Sequence, residues 1–205
     1  MKERIQGYYN PLIKHYTPES TKYVSWNSTN NQHLRYFQLV DNIDFNFSSI
    51  LDVGCGVGDF LDYLNKNHFS IKDYKGIDIL SEMVNGAKLK NPDINVECVD
   101  VFDYFETHDY AVCNGTINTR VFDNDEEQKS FGFNFIDKLN SITSKGFALN
   151  FLTDFTADEL KTNELFYYSP ELIYTYCKMN YRNVKIISDY SDGLNEDDCT
   201  IIVYK

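Results

Sequence analysis

Positive charge is scarce in this chain: 19 lysines and arginines stand against 31 aspartates and glutamates, leaving a net charge of −12 over 205 residues. Such a surface repels phosphate backbones, and no basic stripe offsets it, so a nucleic-acid partner is not expected. No run of 18 apolar residues occurs, so no membrane-spanning helix is expected. The opening Met-Lys-Glu-Arg-Ile-Gln has no long apolar core, so no signal peptide is expected either. Histidine is sparse. His15, His33, His68 and His108 show no ligand spacing, and no metal site is expected. The cysteines, Cys55, Cys98, Cys113, Cys177 and Cys199, form no C-x-x-C pair. Cys55, Cys98 and Cys113 fall in or beside predicted buried strands, where a free thiol acts as a small hydrophobe. A reducing, cytoplasmic compartment is the expectation.

What the chain does have is ordinary globular stuff. Hydrophobic residues make up 42% and charged residues 24%. A chain of this length fits one domain and can bury about 70% of its unfolded surface, so it needs no disulfide staple. Aromatics are abundant, with 16 tyrosines and 15 phenylalanines. Most belong to a core, and some could line an apolar cleft.

The most informative stretch is Ser49-Ser-Ile-Leu-Asp-Val-Gly-Cys-Gly-Val-Gly-Asp-Phe60. Ile50, Leu51 and Val53 read as a buried parallel strand. Gly54, Gly56 and Gly58 follow at alternate positions. Phe60, Leu61 and Leu64 then recur at helical spacing. Strand, glycine turn and helix in that order let a ligand lie against bare main chain at a helix N-terminus. The spacing Asp52-x-Gly54-x-Gly56-x-Gly58 differs from the G-x-G-x-x-G of dinucleotide folds.

Upstream, residues 1–47 are too aromatic for a disordered tail. Thr17-Pro18 and Asn30 look like helix starts. Leu34, Phe37 and Val40 share one helical face, with Gln32 and Arg35 elsewhere. A helical cap over the glycine loop is expected. Downstream, residues 73–78 read as a second strand, and a helix from Ser81 stops at Asn91-Pro92. Strands follow at 94–99 and 109–114. An amphipathic helix spans 125–142, and a fifth strand covers 146–152. A helix is capped by Ser169-Pro170, and strands come at 184–187 and 200–204. Strand–helix alternation implies a parallel sheet with helices on both faces. The last two strands, joined by a short loop, must form an antiparallel hairpin. The expected fold is thus a doubly wound, Rossmann-like α/β sheet of seven strands, mostly parallel with an antiparallel last strand. It forms a single domain, 1–205, with cap 1–47 and core 48–205.

The glycine motif resembles the first motif of the class I S-adenosylmethionine-dependent methyltransferases, and the terminal hairpin extends the resemblance over about residues 48–205. The resemblance implies that Asp52, Gly54, Cys55, Gly56 and Gly58 cradle the amino-acid part of S-adenosyl-L-methionine and of its product S-adenosyl-L-homocysteine. Asp78 closes strand two near the interval of about 20 residues at which an acid takes ribose hydroxyls. Ile79 and Met83 would flank the adenine, which Asp100 and the Val101 amide would recognise. Asn114 would meet the methionine amine and the acceptor. Arg35 could fork onto the cofactor carboxylate. Asn114-Gly115-Thr116 is neither Asn-Pro-Pro-Tyr nor Asp-Pro-Pro-Tyr, and no Pro-Cys dipeptide occurs, which turns the reading away from nucleic-acid methylation. The implied function is methyl transfer to an oxygen or nitrogen of a small molecule. The alternatives are a nicotinamide-dependent oxidoreductase and a non-catalytic binding protein. Acceptor-side candidates are Asn150, Asp154 and Tyr167, with Tyr168, Asp189 and Tyr190 carried as weak catalytic candidates. Oligomeric state is not legible.

Overall fold

A computed structural model describes residues 1–188 and 198–205. Seven strands form one sheet: β1 (Ser49–Val53), β2 (Asp73–Asp78), β3 (Val96–Cys98), β4 (His108–Asn114), β5 (Thr143–Leu152), β6 (Asn183–Ile187) and β7 (Asp198–Tyr204). Their order across the sheet is β3-β2-β1-β4-β5-β7-β6. The first five pair in parallel, and β7 runs antiparallel between β5 and β6. The hairpin expected from the missing final helix is therefore present. It inserts β7 beside β5 and leaves β6 on the edge.

Two-residue alternation within the strands assigns the two faces. Ile50, Val112, Ala148 and Ile202 point to one side, where α2 (Thr29–Val40), α3 (Asp59–Lys66) and α4 (Ser81–Lys90) pack on them. Leu51, Ala111, Phe147, Leu149 and Ile201 point to the other, under α5 (Asp125–Ser141) and α6 (Pro170–Asn180). The helix starts follow capping chemistry. Ser169 Oγ accepts from the Leu172 amide ahead of Pro170, and Asn124 Oδ1 accepts from the Glu126 and Glu127 amides.

The N-terminal region is helical but starts elsewhere than expected. The helix α1 (Lys2–His15) contains Pro11 and has no side-chain cap, so its sequence shows a breaker where the fold continues the helix. Thr17-Pro18 begins no helix; a short 3₁₀ turn, Thr21–Val24, follows with Ser20 as its cap. The helix α2 is capped by Ser28 and not Asn30. Its buried stripe is Gln32, Arg35, Tyr36, Leu39 and Val40, while Phe37 is 47% exposed. Apolarity alone placed the stripe on the wrong side. Gln32 and Arg35 are buried because carboxylates receive them: Gln32 Nε2 donates to the half-buried Asp59 at 2.9 Å, and Arg35 pairs with the buried Asp198. Cys98 is exposed, against the expectation of a buried thiol.

Candidate active site

Sheet order reverses between β1 and β4, so the carboxyl ends of these neighbours diverge and open a crevice. A cavity of about 430 Å³ occupies it. The glycine loop forms its floor. The Gly54 amide donates to the Ile77 carbonyl at 2.8 Å, which carries the chain out of β1 across the end of β2. Gly56 sits at φ +53°, and an added Cβ would lie 2.9 Å from Val24 of the 3₁₀ turn, so loop and cap touch directly. Gly58 plays another part. It is the left-handed residue before α3 at φ +81°, packed against Ile94, and it does not line the cavity. Its assignment to the cofactor is thus a matter of helix packing instead.

The other expected cofactor residues come together. Arg35, Asp52, Gly54, Cys55, Gly56, Asp78, Ile79, Met83, Asp100, Val101 and Asn114 all line the one cavity. Asp78 at the tip of β2 accepts from the Gly56 amide at 3.0 Å and the Leu80 amide at 2.9 Å, one on each oxygen. Each oxygen keeps a further lone pair. Burial pushes this carboxyl up to about 6, and the backbone amides of Leu80 and Gly56 hold it from going further. Asp52 lies deeper. Burial raises it to about 7, countered by the hydroxyl of Tyr74, which donates at 2.8 Å, and reinforced by the charges of Asp78 and Asp59. Asp100 caps the turn after β3 by accepting from the Phe102 amide at 3.0 Å.

Asn114 ends β4. Both polar atoms of its amide are buried, and the Tyr36 hydroxyl is the polar group beside them. Arg35 gives Nη1 to the Asn31 carbonyl at 2.8 Å and Nη2 to Asp198, and its guanidinium lies 4.6 Å from the centre of the Trp26 ring. Its Nε is buried without a partner among the described residues. The fork expected for a cofactor carboxylate is therefore committed mainly to protein. Nε–H is left over for a ligand.

Among the acceptor-side candidates, Tyr167 lines the cavity, whereas Tyr168 does not. Tyr168 is 1% exposed, with its hydroxyl among Gln128 and the Ile117 carbonyl, and it packs on Gly132. It is a core residue, and the catalytic reading of it is corrected accordingly. Asn150 donates to the Cys199 carbonyl within the sheet, and Asp154 lies outside the cavity. Asp189 and Tyr190 fall outside the described residues. Tyr8, Tyr9 and Trp26 of the cap, together with Asn118 and Thr156, also line the cavity. The aromatic density of the first 26 residues signalled the cap. Nothing in the sequence singles out Asn118 or Thr156. Among the described residues, no group of His, Cys, Asp or Glu could hold a metal ion, and no helix is long and apolar enough to cross a membrane.

Comparison with known proteins agrees with this geometry. Residues 23–147 match the model of a methyltransferase domain family. A Mycobacterium tuberculosis protein described as a methyltransferase, Rv1506c, is 35% identical over 159 residues, covering 77% of this chain and 93% of that protein. The fold is shared with phosphoethanolamine N-methyltransferase 1 of Haemonchus contortus, solved with phosphoethanolamine and S-adenosylhomocysteine. There the TM-score is 0.69 and the identity 10%, over 99% of this chain and 48% of that one. It is also shared with the small RNA methyltransferase HEN1, at TM-score 0.63 and 16% identity, over 86% of this chain and 25% of that one.

Proposed function

Because the chain belongs to the methyltransferase family, we propose that it transfers the methyl group of S-adenosyl-L-methionine to a nitrogen or oxygen of a small molecule. One observation carries the reading: a single cavity joins strand-end carboxylates and orphaned polar atoms at the sheet's switch point to an aromatic chamber under the N-terminal cap. The donor set suits the cofactor. Asp78 has lone pairs free for two ribose hydroxyls. Asp100 and Val101, just after β3, suit the adenine, with Ile79 and Met83 lining the same cavity. The main chain of Gly54 and Gly56, the Asn114 side chain and Arg35 Nε–H suit the amino-acid part. These assignments are proposals for this chain.

When bound, the cofactor supplies a methyl carbon on a sulfonium, a leaving group that needs no acid. What the protein must do is hold an acceptor in line and keep water out. Positioning of that kind supplies roughly 7–11 kcal/mol. The cap provides the cover. Tyr8 and Tyr9 come from α1, and Arg4 fastens that helix to Asp123 beyond β4 through bonds of 2.7 and 2.5 Å. The net charge of −12 supports a small molecule over a nucleic acid. Five unbridged cysteines suit a reducing, cytoplasmic setting. Titration calorimetry with S-adenosylhomocysteine, then with NADH, tests the reading. Binding of the first and not the second is expected. Absence of S-adenosylhomocysteine binding at about 1 mM, an energy of only about 4 kcal/mol, would count against it.

A further inference from the structure

Resting on the methyltransferase reading, we propose that the acceptor is an amine carried on an apolar, uncharged body, seated between the cap and the segment 153–167. Charge is the first reason. Five carboxylates line the cavity, whereas the one cationic side chain is Arg35, tied to Asp198; no lysine or histidine side chain lines it among the described residues. Residues 189–197 contain no lysine or arginine in their sequence, so they bring no cation either. Lys161, near the ring of Tyr167, is not a lining residue and is paired with Asp158 at 2.9 Å. A phosphate or carboxylate on the acceptor would therefore find no unpaired Lys, Arg or His side chain among the described lining residues. An ammonium would be drawn in, because carboxylates in a low-dielectric crevice focus their field.

The wall chemistry is the second reason. Tyr8, Tyr9, Trp26 and Tyr167 give the chamber electron-rich rings, and Ile5 and Leu165 give it apolar surface. Trp26 already holds one cation, the guanidinium of Arg35, at 4.6 Å. The third reason is Thr156. It is 6% exposed and lines the cavity, and its hydroxyl is buried with no partner among the described residues. A buried hydroxyl left so carries a desolvation cost that a ligand N–H relieves. Thr156 stands in the loop after β5, two strands along the sheet from the glycine loop after β1, which puts this demand on the acceptor's side. In the reaction the ammonium gives one proton to water. The nitrogen lone pair then forms the bond to the methyl carbon, and the carbon–sulfur bond breaks with its electron pair on sulfur.

Three probes on one phenol frame separate the charges: tyramine, tyrosol and 4-hydroxyphenylacetate, titrated into protein saturated with S-adenosylhomocysteine. Tyramine is expected to bind at least about tenfold tighter than tyrosol, with the carboxylate weakest of the three. In Thr156→Val and Tyr167→Leu, tyramine affinity should fall about fivefold or more while S-adenosylhomocysteine affinity holds. Equal or tighter binding of 4-hydroxyphenylacetate overturns the proposal, as does absence of tyramine binding up to about 10 mM in protein that binds S-adenosylhomocysteine. So does unchanged tyramine affinity in both variants. Failure of S-adenosylhomocysteine itself to bind would instead remove the methyltransferase reading on which the proposal stands.

Discussion

Asp78 offers the sharpest test of how the cavity holds its cofactor. The substitution Asp78→Asn keeps the shape of the side chain and one carbonyl acceptor but removes the charge. In the native protein each carboxylate oxygen serves one backbone amide, Gly56 on one side and Leu80 on the other, and each has a lone pair left for a ribose hydroxyl. Hydrogen bonds to a charged acceptor contribute roughly 1.5–3 kcal/mol, and neutral ones about 1. The amide can serve one hydroxyl as a neutral acceptor and must turn an N–H toward the other. The expected loss is about 3 kcal/mol, or roughly 150-fold in affinity for S-adenosylhomocysteine. Folding responds in the opposite sense. A carboxyl raised to about 6 by burial costs stability once ionised, up to about 3 kcal/mol at neutral pH before relaxation reduces it. A neutral amide removes that cost and forfeits one backbone hydrogen bond of about 1 kcal/mol. The variant should therefore unfold at the same temperature as the native protein or slightly above it. Calorimetric titration reads the affinity and differential scanning calorimetry the stability. An affinity within about threefold of the native value, in a folded variant, would mean the ribose is held elsewhere.

Other residues give separable outcomes. Asp52 is raised to about 7, so its proton stays on in the folded protein while the unfolded chain has lost it. Its contribution thus improves as pH falls from 8 to 6, and the native protein should gain stability relative to Asp52→Asn over that range in urea titrations; a pH-independent difference would refute the burial argument. Gly58→Ala puts a Cβ 2.5 Å from Ile94 at φ +81°, and should cost more than about 1 kcal/mol of stability while S-adenosylhomocysteine affinity is retained, since the position lies outside the cavity. Arg35→Met leaves Asp198 buried without its guanidinium and should destabilise by about 3–5 kcal/mol, with Arg35→Met/Asp198→Leu recovering much of it; a double variant no better than the single would show that the pair is not what matters.

Local chemistry made the frame legible. An apolar run, glycines at alternate positions and an amphipathic segment can satisfy their backbone and bury their faces in few ways, so the span from β1 to α6 followed from short-range pattern. The acid at the end of β2 was legible for the same reason, because a strand end fixes where its last side chain goes. The final hairpin followed from a missing helix.

Only tertiary packing decided the rest, because it turned on partners far away in sequence. Arg35 and Gln32 face inward because Asp198 and Asp59 are there to receive them, and no helical periodicity contains that information. A proline within α1 reads as a stop when taken alone. Gly58 and Gly56 look equivalent in the motif, but one meets Ile94 and the other the cap. Tyr167 and Tyr168 are neighbours in the chain, yet the first faces the cavity and the second the core, because extended backbone sends successive side chains to opposite sides. Sequence determined the frame and its strand-end acid. The depth of the cavity, and which polar atoms are left in it without a partner, depended on how the cap closes over the sheet.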